Sequence, residues 1–217
     1  MRAFLFLLVS SLALAGTETE SRMTEAEEFH PANIGLDFQW APIQYTNYSY
    51  APGSPTSRPG NAILASLEWL PLDHYGKLGV GIGAGLFVQA NQLLNDGRTA
   101  SLTGIPLDAH VSYYFDYIEN QLLVPFASLG TSLTLLQQSS PNGASISPTQ
   151  SYQGWEYSFG GEICLNAIDG HSSRSLRRLT GIKRSYVSAS YIRSQPISPA
   201  GPDLSYSGYR VGFRLEI

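Results

Sequence analysis

From Tyr209 to Ile217 the chain reads YRVGFRLEI, which sends Tyr209, Val211, Phe213, Leu215 and Ile217 to one side and Arg210, Gly212, Arg214 and Glu216 to the other. A period of two marks a strand, because successive side chains on an extended backbone point to opposite faces. The stretch from Leu78 to Asn91 repeats it: Leu78, Val80, Ile82, Ala84, Leu86 and Val88 alternate with Gly79, Gly81, Gly83, Gly85, Phe87 and Gln89. These glycines are not a phosphate-binding loop, which sits between a strand and a helix. Glycine at every second position of one strand instead makes room where bulky neighbours crowd the opposite wall.

Six further runs behave alike: Ile34–Trp40 extending towards Tyr50, Ala62–Leu70, Ile105–Asp116, Leu122–Leu135, Trp155–Ala167 and Ser185–Arg193. Together they predict eight strands. Ser-, Pro- and Gly-rich connections at Pro52–Gly60, Asn95–Gly97, Ser139–Ser145 and Gln195–Asp203 alternate with short ones at Asp73–Lys77 and Tyr117–Gln121. Long and short loops in alternation are the pattern of an up-and-down barrel whose rims face different surroundings. The remaining connection, IDGHSSRSLRRLTGIKR, predicts a helical turn capped by Ser172 or Ser173 and ended by Gly181, a lid on one rim.

Periodicity alone does not say which face looks inward. Composition does: the chain is 43% hydrophobic but only 14% charged, against roughly 25% charged in a soluble domain. The polar faces carry mostly Gly, Ser, Thr, Asn and Tyr with isolated charges, which suits a narrow, filled interior better than water. The fold class expected is therefore an all-β, eight-stranded antiparallel up-and-down transmembrane β-barrel over residues 32–217. Asp37, Glu68, Asp108, His110, Glu156, Glu162, Arg210 and Arg214 fall on the inward set as an interior charge network. Closure would bring Arg210 and Arg214 beside Asp37, and acids outnumber arginines there. Trp40, Trp69, Tyr113, Phe115, Tyr157, Phe159, Tyr191 and Tyr209 are candidates for aromatic girdles.

Residues 1–15, MRAFLFLLVSSLALA, combine one basic residue, an apolar run and small residues before Gly16, as a secretory signal peptide does. Residues 16–31 read as an acidic, flexible periplasmic tail, with five Glu and one Arg between Gly16 and Glu28. Beyond that point 11 basic residues meet 12 acidic ones, and the whole chain carries a net charge of −4, so nucleic-acid binding through bulk basicity is excluded. The single cysteine, Cys164, allows no intramolecular disulfide and reads as a small buried apolar residue. No stretch of about 18 apolar residues follows the leader.

The secretory leader, the eight alternating segments and the terminal strand resemble small outer-membrane β-barrels of the outer membrane protein A, W and X type. The closing run resembles the signal read by the barrel-assembly machinery, with Arg210 at its polar position, Gly212 at its glycine, Leu215 at its apolar position and Ile217 where the family usually has Phe or Trp. The resemblance implies an outer-membrane location, outer-membrane lipids and the assembly machinery as partners, and no cofactor. An even strand number puts both termini in the periplasm.

His110 and Ser112 share one strand face at a spacing that resembles outer-membrane lipid A deacylases. They point inward with Asp108, however, and Tyr113-Tyr114 does not continue that motif, so an interior hydrogen-bond network is the expected role and no catalytic residue is assigned. His30, His74 and His171 lack ligand-spaced partners, and no metal site is expected. Arg174, Arg177, Arg178, Lys183 and Arg184 form a periplasmic basic lid, to be set either on anionic headgroups or in solvent. The function expected is structural, in envelope integrity or surface interaction, and non-enzymatic. A lipid-modifying enzyme and a narrow conduit or pocket for small apolar molecules are the alternatives. Ala84, Ala109 and Ala127 on the outward face would permit a homo-oligomer.

Overall fold

The computed structural model describes residues 33–45, 59–72, 75–93, 99–118, 121–139, 150–168, 170–197 and 205–217. The leader, the acidic tail and most of the long connections lie outside them. The strands are β1 (Ile34–Tyr45), β2 (Gly60–Leu72), β3 (Lys77–Leu93), β4 (Thr99–Tyr114), β5 (Leu123–Ser139), β6 (Gln150–Cys164), β7 (Arg184–Pro196) and β8 (Tyr206–Glu216). A 3-10 turn at Leu165–Ala167 and helix α1 (Gly170–Thr180) lie between β6 and β7. Each strand pairs antiparallel with the next, and β8 pairs with β1, so the sheet closes into the expected eight-stranded barrel.

The pairing register sets the tilt. Stepping across the ladder from Ile34 leads through Trp69, Val80, Val111, Leu129, Tyr157, Arg193 and Ser207, and returns to β1 at Gln44, ten residues further on. A closed sheet with that stagger tilts its strands by roughly 40° and leaves an interior that side chains can fill. The rim where β1 begins and β8 ends is the terminal end of the barrel, and the opposite rim is the loop end.

Alternation decides the faces as predicted. Ile63, Ile82, Leu86, Leu129 and Phe159 are all more than half exposed on the outside, whereas Asp37, Glu68, Glu162 and Arg214 are buried inside. An exterior this apolar and this continuous is matched to lipid rather than to water.

Several strands run past the predicted limits. β4 starts at Thr99 rather than Ile105 because TASLTG, which reads as loop composition, is carried into the ladder by pairing with β5, as at Ser101 and Ser139. At the other end of β6, Leu165–Ala167 leaves the strand and turns. Helix α1 begins at Gly170, ahead of the serines expected to cap it, and stops as predicted at Gly181, whose φ is +75° and whose N–H donates to the Arg177 carbonyl (3.0 Å). Among the described residues it packs on the 3-10 turn, with no comparable packing against the strands across the mouth.

Candidate functional site

All eight predicted interior residues face the lumen. Arg214 is its centre: the side chain is fully buried, and its guanidinium lies 3.2 Å from Glu68, 3.5 Å from Glu162, 3.5 Å from Glu216 and 4.0 Å from Asp37. The register sets Arg214 directly opposite Asp37, as the closure argument requires. Tyr114 completes the site, its ring centre 3.7 Å from the guanidinium carbon. A planar, permanently charged fork suits such a place, since it serves several carboxylates while stacking on an aromatic face.

Arg210 goes elsewhere. It lies four residues nearer the loop end than Arg214, so it misses Asp37 and binds Glu156 at 2.6 Å, where the Tyr206 hydroxyl also donates. Between the two arginines sits His110, with Nδ1 2.6 Å from Asp108 and Nε2 3.0 Å from Glu68. Two carboxylates on two ring nitrogens is an arrangement suited to the imidazolium form, which donates from both. Glu68 joins the layers, because it also accepts from the Tyr114 hydroxyl at 2.7 Å and meets Arg214.

The alternate glycines of β3 explain how three such groups fit. A Cβ on Gly81 would lie 2.6 Å from His110 Nε2 and 2.7 Å from Glu68 Cγ, and one on Gly79 would lie 3.1 Å from the Glu68 carboxyl. The crowding comes from the adjacent strands β2 and β4, whose side chains fold over β3, and not from the opposite wall.

A second ionic layer at the terminal end has no counterpart in the predicted network. Lys77 Nζ lies 2.5 Å from Glu216 and 3.1 Å from Asp116, and Arg184 donates to Asp116 at 2.6 Å. Glu216 was legible, being on the polar face of the last strand. Lys77 and Asp116 stand at the margins of turns in the sequence. Arg184 corrects the basic lid: it opens β7, its side chain is buried in the lumen mouth, and its partner is a carboxylate rather than a headgroup. Arg174 and Arg178 of the lid are exposed, Arg177 and Lys183 half-buried.

The inward carboxylates are Asp37, Glu68, Asp108, Asp116, Glu156, Glu162 and Glu216, against Lys77, Arg184, Arg210 and Arg214 with His110. The excess of acid must be hydrated or protonated. A cavity of about 40 Å³, lined by Asp37, Glu68, Asp108, His110, Glu156 and Arg210 among others, has room for a few water molecules. Ser112 is buried, and His110 presents both nitrogens to carboxylates, so neither ring nitrogen is directed at the Ser112 hydroxyl.

The residues of the assembly signal help close the seam. Arg210 donates to Gln39 Oε1 at 3.5 Å, a Cβ on Gly212 would lie 2.7 Å from the Phe38 carbonyl, Leu215 stands opposite Leu36, and the Ile217 N–H donates to the Ile34 carbonyl at 2.9 Å. Outside, Phe159, Tyr191 and Tyr209 meet in sequence across β6, β7 and β8 with ring centres 5.5 Å apart, the first pair tilted and the second edge-on, and Trp40 and Tyr157 lie on the same outward face. Trp69, Tyr113 and Phe115 lie at the terminal end, with Tyr75 and Tyr117 added to those predicted. Cys164 is buried and free, as expected.

No protein-family model matches the chain, and no curated protein does. Among solved structures, Neisserial surface protein A is 14% identical, with a TM-score of 0.54, over 85% of this chain and 97% of that one. The outer membrane protein OprG from Pseudomonas aeruginosa is 13% identical, with a TM-score of 0.57, over 87% and 97%. What the chain has in common with both is the fold, that of the small eight-stranded outer-membrane β-barrels.

Proposed function

We propose that the protein is an integral outer-membrane barrel that works as a structural or surface-interacting element rather than as an enzyme. One observation carries this reading: an apolar exterior encloses a lumen in which the charged side chains are paired with one another. Buried ions held by several partners resist rearrangement, since removing one partner leaves an uncompensated charge. Such a lumen is built to hold a shape. The engaged nitrogens of His110 support the absence of acyl-transfer chemistry, because a general base needs a lone pair directed at its nucleophile. With eight strands both termini lie on one side, assigned here to the periplasm, and the Pro- and Ser-rich connections face outward from the cell. Lipids and the barrel-assembly machinery are the partners this reading needs.

The test is heat-modifiable gel mobility of the mature chain refolded in detergent and in liposomes, with external protease and crosslinking. A compact, bilayer-inserted, protease-resistant species is expected, and crosslinking reports whether it is a homo-oligomer. Folding in water without lipid would overturn the reading. In the same preparation, His110→Ala and Ser112→Ala are expected to lower stability and leave lipid A composition unchanged. Loss of lipid A processing with an intact fold would establish the enzyme alternative instead. A narrow conduit predicts uptake of small apolar molecules into the liposomes, and the filled lumen predicts none.

A further inference from the structure

One charged side chain stands on the lipid-facing side of the strands. Among the described strand residues every other Asp, Glu, Lys and Arg points into the lumen, and Arg193 of β7 alone is exposed on the outside. Its cross-strand neighbours are Tyr157 on β6 and Ser207 on β8.

The rows around it place it at a boundary. One step towards the terminal end, the paired residues are Phe159, Tyr191 and Tyr209, a row of aromatic rings in contact. One step towards the loop end, Trp155 pairs with Gln195. Across three strands the outward rows therefore run from Phe-Tyr-Tyr, through Tyr-Arg-Ser, to Trp155 with Gln195, so that polar side chains enter the outward face among aromatic ones at the level of Arg193. A charge at the middle of a bilayer costs about 2–4 kcal/mol, and near the interface about 0–1 kcal/mol. A lone cation ringed by Tyr and Trp, where polar side chains enter the outward face, stands at headgroup depth, since those rings favour that level.

A cation at that depth faces the phosphates of the surrounding lipid, whose charge it complements, and its guanidinium fork matches phosphate oxygens in pairs. The acids of the neighbouring strands, Glu156 among them, are turned inward and committed to Arg210. We propose that Arg193, flanked by Tyr157 and Ser207, seats the phosphate of a membrane lipid headgroup at the loop end of the barrel. From the proposed function it takes only that the outer face contacts lipid.

The experiment uses the full mature chain in nanodiscs of phosphatidylcholine containing a minor fraction of phosphatidic acid, whose phosphomonoester is the probe. Native mass spectrometry after extraction reads the share of barrels retaining one phosphatidic acid. Arg193→Gln is expected to lower that retention about fivefold, the factor one cation contributes near an anionic surface, and Arg193→Lys to keep most of it. Arg193→Met, with a chain suited to lipid, carries the same expectation should the glutamine variant not fold. Heat-modifiable mobility confirms insertion of each variant, so a failure of the membrane reading is seen separately from a failure of this site. Unchanged retention in the inserted Arg193→Gln and Arg193→Met proteins would overturn the proposal. So would displacement of the lipid by inorganic phosphate at equal concentration, which would mark a site for the free ion.

Discussion

The two halves of the lumen are filled by different means, the loop half by apolar side chains with neutral polar ones such as Gln89, Thr134 and Ser194, the terminal half largely by ions. Towards the loop end, Ile43, Leu64, Phe87, Leu102, Leu136 and Ile192 pack with Tyr45, whose ring meets Phe87 at 5.1 Å and Tyr206 at 5.7 Å, both edge-on. Towards the terminal end the space is held by ions, with Leu70, Tyr114, Val124, Phe126, Cys164 and Tyr186 around them. Apolar packing needs volume and shape, and tolerates exchange of one aliphatic chain for another. An ionic core needs each partner in its place, because an orphaned buried charge costs far more than a lost methyl group. The terminal half therefore specifies one arrangement of strands, and the loop half fills whatever space that arrangement leaves.

The largest expected effect is at Arg214. Arg214→Ala takes the ion-pair partner from Asp37 and Glu162 and one of several partners from Glu68 and Glu216, and should lower unfolding free energy in liposomes by about 3–5 kcal/mol, read from the urea midpoint by tryptophan fluorescence. Adding Glu68→Gln and Glu162→Gln should recover part of it; no recovery would mean that the cluster acts through shape and not charge. Gly81→Val drives a side chain into His110 and Glu68, and should cost about 1–3 kcal/mol by the same measurement, as overpacking does. An unchanged midpoint would show that the network yields as readily as the apolar half. Ile192→Val should cost about 1 kcal/mol and add to the loss from Arg214→Ala, since the two sites share no partner. A clear departure from additivity would erase the distinction between the halves. The smallest effect lies outside both: Arg174→Gln with Arg178→Gln should leave the midpoint within about 0.5 kcal/mol. Cosedimentation of a peptide spanning residues 165–184 with anionic vesicles should weaken by about 1 kcal/mol per charge removed.

The same contrast explains what could be read in advance. In the terminal half each strand alternates sharply, as in β8, where Phe213 and Leu215 flank Arg214, so both the strand and its faces were plain. In the loop half both faces turn apolar or small. Leu86, Phe87 and Val88 run together on β3, Leu135 and Leu136 on β5, and TASLTG opens β4. A period of two fades when the two sides have the same polarity, and at the start of β4 it reverses: Thr99, Ser101 and Thr103 face outward while Ala100 and Leu102 are buried, the opposite phase to Ile105, Leu107 and Ala109, so the apolar-outward pattern begins only at Ile105. Membership of the charge network was visible from face alone, so Asp37, Glu68, Asp108, His110, Glu156, Glu162, Arg210 and Arg214 were found. Lys77, Asp116 and Arg184 stand at strand ends, where periodicity has no neighbour on one side to confirm it.

Side-chain alternation and the scarcity of charge determined, from the sequence by itself, that this chain forms eight strands with an apolar outside and a polar inside. Which carboxylate each cation takes was decided only by the tertiary structure. Face is a local property, set by one residue's parity along its strand. Pairing depends on the ten-residue stagger accumulated around the closed sheet, which sets the level at which each strand passes the others: Arg214 comes opposite Asp37, Arg210, four residues nearer the loop end, comes beside Glu156, and Lys77, Asp116 and Arg184 meet at one rim.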